Sequence, residues 1–118
     1  METVAFITSE AGTDLIVSFA LVAADDPSDI ESLTLIRTPI YEGILDEDER
    51  GVTVSLECQD DRDLLVEVQF DKATATIKLI TESREYELDV RKVSPVELER
   101  MCNLFRKMNF DQKLRLKL

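Results

Sequence analysis

Carboxylates are the most numerous side chains in this sequence that could do chemistry. The 118 residues include 25 Asp and Glu against 14 Lys and Arg. Three acidic groups fall in short polar segments: Asp25, Asp26 and Asp29; Asp46, Glu47, Asp48 and Glu49; and Asp60, Asp61 and Asp63. Paired carboxylates can transfer protons or hold a divalent cation. Aspartate is also favoured simply as a turn former, and we interpret all three groups in that way.

The second acidic group opens a segment, residues 46–57, that resembles the calcium-binding loop of an EF-hand. The first, third, sixth and twelfth positions of that loop are occupied by Asp46, Asp48, Gly51 and Glu57. The fifth position, however, is Arg50, which puts a cation where an oxygen ligand belongs, and the eighth is Thr53 instead of a large aliphatic residue. Helices should also flank the loop, whereas residues 52–58 alternate like a strand. We therefore expect a solvated acidic turn and no metal.

The residues needed for nucleophilic or cofactor chemistry are largely missing. Histidine is absent, which removes the commonest general base, the commonest metal ligand and every His-based triad. No G-x-G-x-x-G or G-x-x-x-x-G-K motif is available to cradle a phosphate. Cys58 and Cys102 both fall on apolar faces, and neither has a histidine to generate a thiolate. We expect two buried, reduced thiols, no cofactor and no enzymatic activity.

The net charge of −11 bears on the choice of partner. Such a field repels nucleic-acid phosphates and anionic lipid surfaces, so we expect neither nucleic acid nor membrane as a partner. It would speed the encounter with a basic protein, although solubility alone also accounts for it. The first residues show no basic start before an apolar stretch, and the longest apolar stretch, residues 15–24, is far shorter than the ~20 residues of a membrane helix. We predict a cytoplasmic protein.

Residues 52–90 give the clearest structural pattern. Four runs alternate between apolar and polar side chains, which is typical of strands with one buried face. Their inward residues are predicted to be Val52, Val54, Leu56 and Cys58; Leu64, Val66, Val68 and Phe70; Ala75, Ile77 and Leu79; and Tyr86, Leu88 and Val90. Short polar segments at residues 59–62, 71–73 and 81–84 separate the runs and suit hairpin turns. We predict a four-stranded antiparallel meander.

The rest of the chain supplies further strands and one helix. Residues 4–9, 14–24 and 33–37 read as strands, and residues 40–45 as another strand or a bend because Pro39 and Gly43 interrupt the pattern. Ser94, Pro95 and Glu97 form a capping box that predicts a helix at about residues 95–108. The tail, residues 114–118, alternates again and reads as a short final strand. We expect its basic face to lie beside the acidic strand of residues 85–89.

We therefore predict a single domain, residues 1–118, of the α+β class and mainly β. An antiparallel sheet of about six to eight strands, arranged as a meander, half-barrel or two-layer structure, would be covered by the one C-terminal helix.

Three functions remain open for such a domain. The favoured hypothesis is a non-catalytic, acidic protein-interaction module, similar only in general character to toxin-neutralising immunity proteins and adaptor domains. Its contact residues would be the acidic side chains of two turns: Asp46, Glu47, Asp48, Glu49, Asp60, Asp61 and Asp63. The alternatives are a small-ligand or divalent-metal-binding domain, and a domain that self-associates through a free strand edge or through Leu65 and Ile80.

Overall fold

The mainly β architecture with one C-terminal helix is confirmed by the computed structural model, which describes residues 1–23, 25–26, 28–56 and 63–118. Its regular elements are β1 (Glu2–Ala11), β2 (Leu15–Val22), β3 (Ile30–Arg37), β4 (Thr53–Leu56), β5 (Asp63–Asp71), β6 (Thr76–Thr81), β7 (Glu85–Asp89), α1 (Pro95–Met108) and β8 (Arg115–Lys117). Two 3₁₀ helices, Pro39–Ile44 and Glu47–Glu49, lie between β3 and β4. Within the described residues, no helix combines the length and apolar character that crossing a membrane requires.

The eight strands form one sheet in the order β4-β3-β2-β1-β7-β6-β5-β8. β4 pairs with β5 as well as with β3, so β1 to β7 close into a ring of hydrogen-bonded neighbours. Most pairs are antiparallel, but β1 with β7 and β5 with β8 are parallel. The sheet is therefore mixed. β1 and β7 lie far apart along the chain, and β8 is separated from β5 by two strands and the helix, so a hairpin joins neither parallel pair.

The predicted meander is present, since β4, β5, β6 and β7 pair in chain order and antiparallel. The turn predicted at residues 59–62 and the thiol predicted at Cys58 lie outside the described residues. One part of the predicted pattern is wrong. A register shift between Leu65 and Glu67 divides β5 into two parts with opposite alternation, because an extra residue in one strand moves the side chains beyond it to the other face. Val68 and Phe70 face the core as predicted, and the error is confined to the residues before the shift. Leu65 is consequently buried and Val66 is exposed.

The first half of the chain agrees more closely with its pattern. β1 and β2 form the predicted hairpin, and β3 pairs antiparallel with β2. Val17 and Phe19, on the predicted inward face of β2, are fully buried. Residues 40–45 are a bend: the 3₁₀ helix at Pro39–Ile44 takes the place of a strand.

The helix α1 begins and ends where its sequence signals predict. Ser94 Oγ accepts the backbone N–H of Glu97 at 3.3 Å, and the Glu97 carboxylate accepts the backbone N–H of Ser94 at 3.4 Å. These two bonds satisfy N–H groups that the first helical turn leaves without partners. The apolar face of α1, including Met101 and Phe105, joins the same core as the inward residues of the sheet.

The tail forms the predicted strand but in a different place. β8 lies beside β5, and the prediction that it lies beside β7 is wrong. β7 already has β6 and β1 as its two neighbours, so no edge of it remains for the tail. The basic face of β8 instead meets a carboxylate of β5, with Lys117 Nζ at 3.9 Å from Glu67 Oε1.

Candidate functional site

An unusual group of exposed apolar side chains lies on the 3₁₀ helix at Pro39–Ile44. Residues three apart share one side of a 3₁₀ helix, so Glu42 faces inward together with Pro39 before it. The remaining positions face outward, and Ile40, Tyr41 and Ile44 are 64%, 62% and 85% exposed. These three side chains, which we call the apolar patch, stand in solvent although each would gain free energy by being covered.

The conformation of this segment is held by Arg37, the last residue of β3. Arg37 is 2% exposed, and its guanidinium donates to both carboxylate oxygens of Glu42, from Nε at 2.7 Å and from Nη2 at 2.8 Å. It also donates to both oxygens of Asp111, at 2.8 and 3.1 Å, and to the backbone oxygen of Met108 at 2.8 Å. Its centre lies 4.1 Å from the centroid of the Phe110 ring. One side chain thus joins β3, the 3₁₀ helix and the end of α1.

Arg37 is fully charged in this setting. Burial lowers its pKa, but the hydrogen bonds and charges of Glu42 and Asp111 outweigh that effect and raise the pKa above its ordinary value. The hydrogen bond from Arg37 in turn lowers the pKa of Asp111. Two-pronged arginine–carboxylate contacts are strong and directional, so the network fixes the orientation of the segment that carries the apolar patch.

The acidic turn, residues 46–49, follows the apolar patch directly along the chain. Glu47, Asp48 and Glu49 form a single 3₁₀ turn, and all four side chains are exposed, as predicted for a solvated turn. The carboxylates of Asp46, Asp48 and Glu49 lie within 4.8 Å of one another. The segment lacks the flanking helix that an EF-hand loop requires, because β4 begins at Thr53. The twelfth loop position, Glu57, lies outside the described residues.

The other predicted contact turn is built differently. Asp60 and Asp61 lie outside the described residues. Asp63 is buried, and its carboxylate accepts hydrogen bonds from the hydroxyls of Thr81 at 2.5 Å and Ser83 at 2.8 Å and from the backbone N–H of Ser83 at 3.2 Å. Its oxygens therefore organise the turn between β6 and β7, and the structure does not bring Asp63 together with the acidic turn.

The single described thiol is also a structural group. Cys102 is free and buried on the apolar face of α1, as predicted. Burial raises the pKa of the thiol, although the charges of Arg106 and Lys72 oppose that rise. A thiol that ionises less readily than usual is a weak nucleophile at neutral pH.

Charge is distributed unevenly along the chain. Residues 1–90 hold 22 acidic and 6 basic side chains, a net charge of −16, whereas residues 91–118 hold 3 acidic and 8 basic ones, a net charge of +5. The acidic turn belongs to the first part, and α1 with β8 belongs to the second. The average charge of −11 therefore conceals two regions of opposite sign.

No family model, curated protein or solved structure matches this chain. Functional inference accordingly depends on the surface chemistry of the molecule itself.

Proposed function

We propose that the protein is a non-catalytic interaction module that binds a basic segment of another protein through the apolar patch and the acidic turn. The observation that carries this proposal is their adjacency. Three large apolar side chains stand 62–85% exposed, and a run of four carboxylates begins two residues after Ile44. Exposed apolar groups rimmed by charge are characteristic of protein-binding surfaces.

Each half of this surface would make a different contribution. The apolar patch supplies the free energy of burial, with Tyr41 as an aromatic anchor of the kind that dominates many interfaces. The carboxylates of the acidic turn attract a basic partner, speed its association and disfavour acidic competitors. Because these charges are exposed, their contribution falls as salt is added.

The Arg37 network supports the proposal by preorganising the surface. A segment that is already held in one conformation loses little entropy when a partner binds, so more of the contact energy is retained as affinity. The network also places Glu42 inward, which leaves the outward face of the 3₁₀ helix free of charge.

A selection from a random peptide library, displayed and panned against the purified protein, tests this function. We expect the recovered peptides to combine Lys or Arg with at least one bulky apolar residue. Synthetic copies should bind the Ile44→Ser variant about tenfold more weakly, equivalent to ~1.4 kcal/mol. The Asp46→Asn/Asp48→Asn variant should show a weaker salt dependence, because two of the four carboxylates are neutralised. Val96→Ser, which alters an apolar side chain that is 56% exposed on α1, is the matched control and should bind like the unmodified protein.

Two outcomes would count against the proposal. One is a library that yields no enriched sequence, or peptides that bind the Ile44→Ser variant and the unmodified protein equally well. The other is a dimer in sedimentation experiments that the Ile44→Ser change abolishes, because the occupant of the apolar patch would then be a second copy of this chain.

A further inference from the structure

A second candidate surface lies on the flank of α1 and carries basic side chains, in contrast to the acidic turn. A cavity of about 490 Å³ separates the helix from the turn that joins β5 to β6. Phe70 and Ala75 line it from the sheet side, and Leu98 and Cys102 line it from the helix. This volume is within the usual range for small-molecule pockets, which are mostly apolar with a few polar groups at defined places.

Two cationic side chains reach this cavity from different elements. Lys72 comes from the β5–β6 turn and Arg106 from α1, and both are close enough to Cys102 for their charges to act on its thiol. Among the described residues, neither lies within 4 Å of a carboxylate oxygen; Arg106 donates only to Asn103 Oδ1, at 3.1 Å. Glu99 and Leu118 also line the cavity.

We propose that this cavity binds a small anionic amphiphile, a molecule with an apolar body and one carboxylate. The apolar body would displace water from the walls formed by Phe70 and Leu98. The carboxylate would accept hydrogen bonds from Lys72 and Arg106, which supply cationic donors that the described part of the protein leaves without an anion. The site shares no residue with the apolar patch or the acidic turn, so it stands independently of the proposed protein-binding function.

Titration with three ten-carbon probes that differ only in the head group tests the charge requirement. Decanoate, decan-1-ol and decylamine are each added below the concentration at which they aggregate, and amide chemical shifts are followed by NMR. We expect decanoate to shift the resonances of residues around Ala75 and Cys102 saturably. Decan-1-ol should bind there at least tenfold more weakly, and decylamine should cause no saturable shift there. The proposal is overturned if decanoate leaves these resonances unchanged, or if all three probes bind there equally.

Substitutions then test the residues. Lys72→Gln and Arg106→Gln should each weaken decanoate binding at least fivefold and leave decan-1-ol binding unchanged. Lys92→Gln removes the same charge from an exposed position that does not line the cavity, and should bind decanoate as before.

A chemical readout gives independent evidence. In a Cys58→Ser background, saturating decanoate should slow alkylation of Cys102 by iodoacetamide severalfold. Unchanged alkylation, or unchanged decanoate affinity in both glutamine variants, would refute the site.

Discussion

Two of the places where cationic side chains meet the helix α1 differ in their surroundings. At the C-terminal end, Arg37 is buried and holds two carboxylates and a backbone oxygen. Along the flank, Arg106 and Lys72 face a cavity, and within the described residues no carboxylate pairs with either of them. A cation whose hydrogen bonds are used inside the protein is a structural element, whereas one at an apolar cavity without an anion is available to a ligand. Removing the Arg37 side chain should therefore lower the stability of the fold, and removing the charge of Arg106 or Lys72 should weaken ligand binding.

The largest effect is expected from Arg37→Ala. This change leaves the buried carboxylate of Glu42 without its partner, and breaking a buried ion pair in that way costs about 3–5 kcal/mol. The free energy of unfolding, measured by urea denaturation with far-ultraviolet circular dichroism, should fall by that amount. Because a typical domain is stable by only about 5–15 kcal/mol, the variant will be close to unfolding.

A milder variant keeps this prediction testable. Arg37→Lys retains the charge but not the two-pronged geometry, so we expect an intermediate loss together with weaker binding of library-selected peptides. Arg91→Ala is the control, because it breaks the pair with Asp89 in which the arginine side chain is 75% exposed, and it should destabilise far less. Equal losses for Arg37→Ala and Arg91→Ala would contradict a structural role for the buried network.

A smaller and pH-dependent effect is expected from Asp111→Asn. Asp111 pairs with Arg37 at 2.8 Å with its side chain 24% exposed, so losing its charge should cost about 1.5 kcal/mol at neutral pH. The pKa of Asp111 is lowered below its ordinary value of 3.8 in the folded protein. Its ionised form therefore stabilises the fold fully above pH 3.8, and that contribution is lost as the pH falls through the lowered pKa.

The measurement is a series of urea denaturations of both proteins from neutral pH down into the acid range. The difference in unfolding free energy between the unmodified protein and Asp111→Asn should be constant above pH 3.8 and shrink below it. Comparing the two proteins at each pH cancels the titration of the other carboxylates. A difference that persists unchanged at the lowest pH would show that the charge of Asp111 is not what stabilises the network.

Some parts of the fold could be predicted from the sequence because they depend on neighbouring residues, and other parts could not because they depend on distant strands. Local signals were sufficient to predict α1, because its cap and its apolar periodicity indicate both of its ends. They were also sufficient to predict the meander, because short polar turns join its strands. The bulge in β5 was not predictable, because Leu64, Val66, Val68 and Phe70 keep a spacing of two residues and only the pairing with β6 shifts the register. Leu65 was the one irregular position, and its pattern alone does not indicate a bulge. The position of β8 depended on which strand edges remained free, which is a property of the closed sheet and not of the tail.

Neither the surface formed by the apolar patch and the acidic turn nor the cavity beside α1 could be fully predicted from the sequence. The acidic turn was visible as a run of charge, but the exposure of Ile40, Tyr41 and Ile44 depends on the inward position of Glu42. One sequence signal indicated that Arg37 is buried. Arg37 follows Leu33 and Leu35 at a spacing of two residues, which places it on the buried face of β3. Its partner Asp111 lies 74 residues away, and no local pattern indicates that contact. Lys72 and Arg106 are brought together in the same way, by the packing of α1 beside the β5–β6 turn.

The smallest effect on stability is expected from the cavity cations. Lys72→Gln and Arg106→Gln remove charges that have no ion pair among the described residues, so each should change the unfolding free energy by no more than about 0.5 kcal/mol. Urea denaturation, under the conditions used for the Arg37 variants, checks this directly. In about 10 mM salt both variants should lose slightly more stability than in high salt, because each charge lies in the field of a net-negative protein. A loss of several kcal/mol from either change would mean that the side chain has a structural partner like those of Arg37, and the distinction between the two cationic regions would disappear.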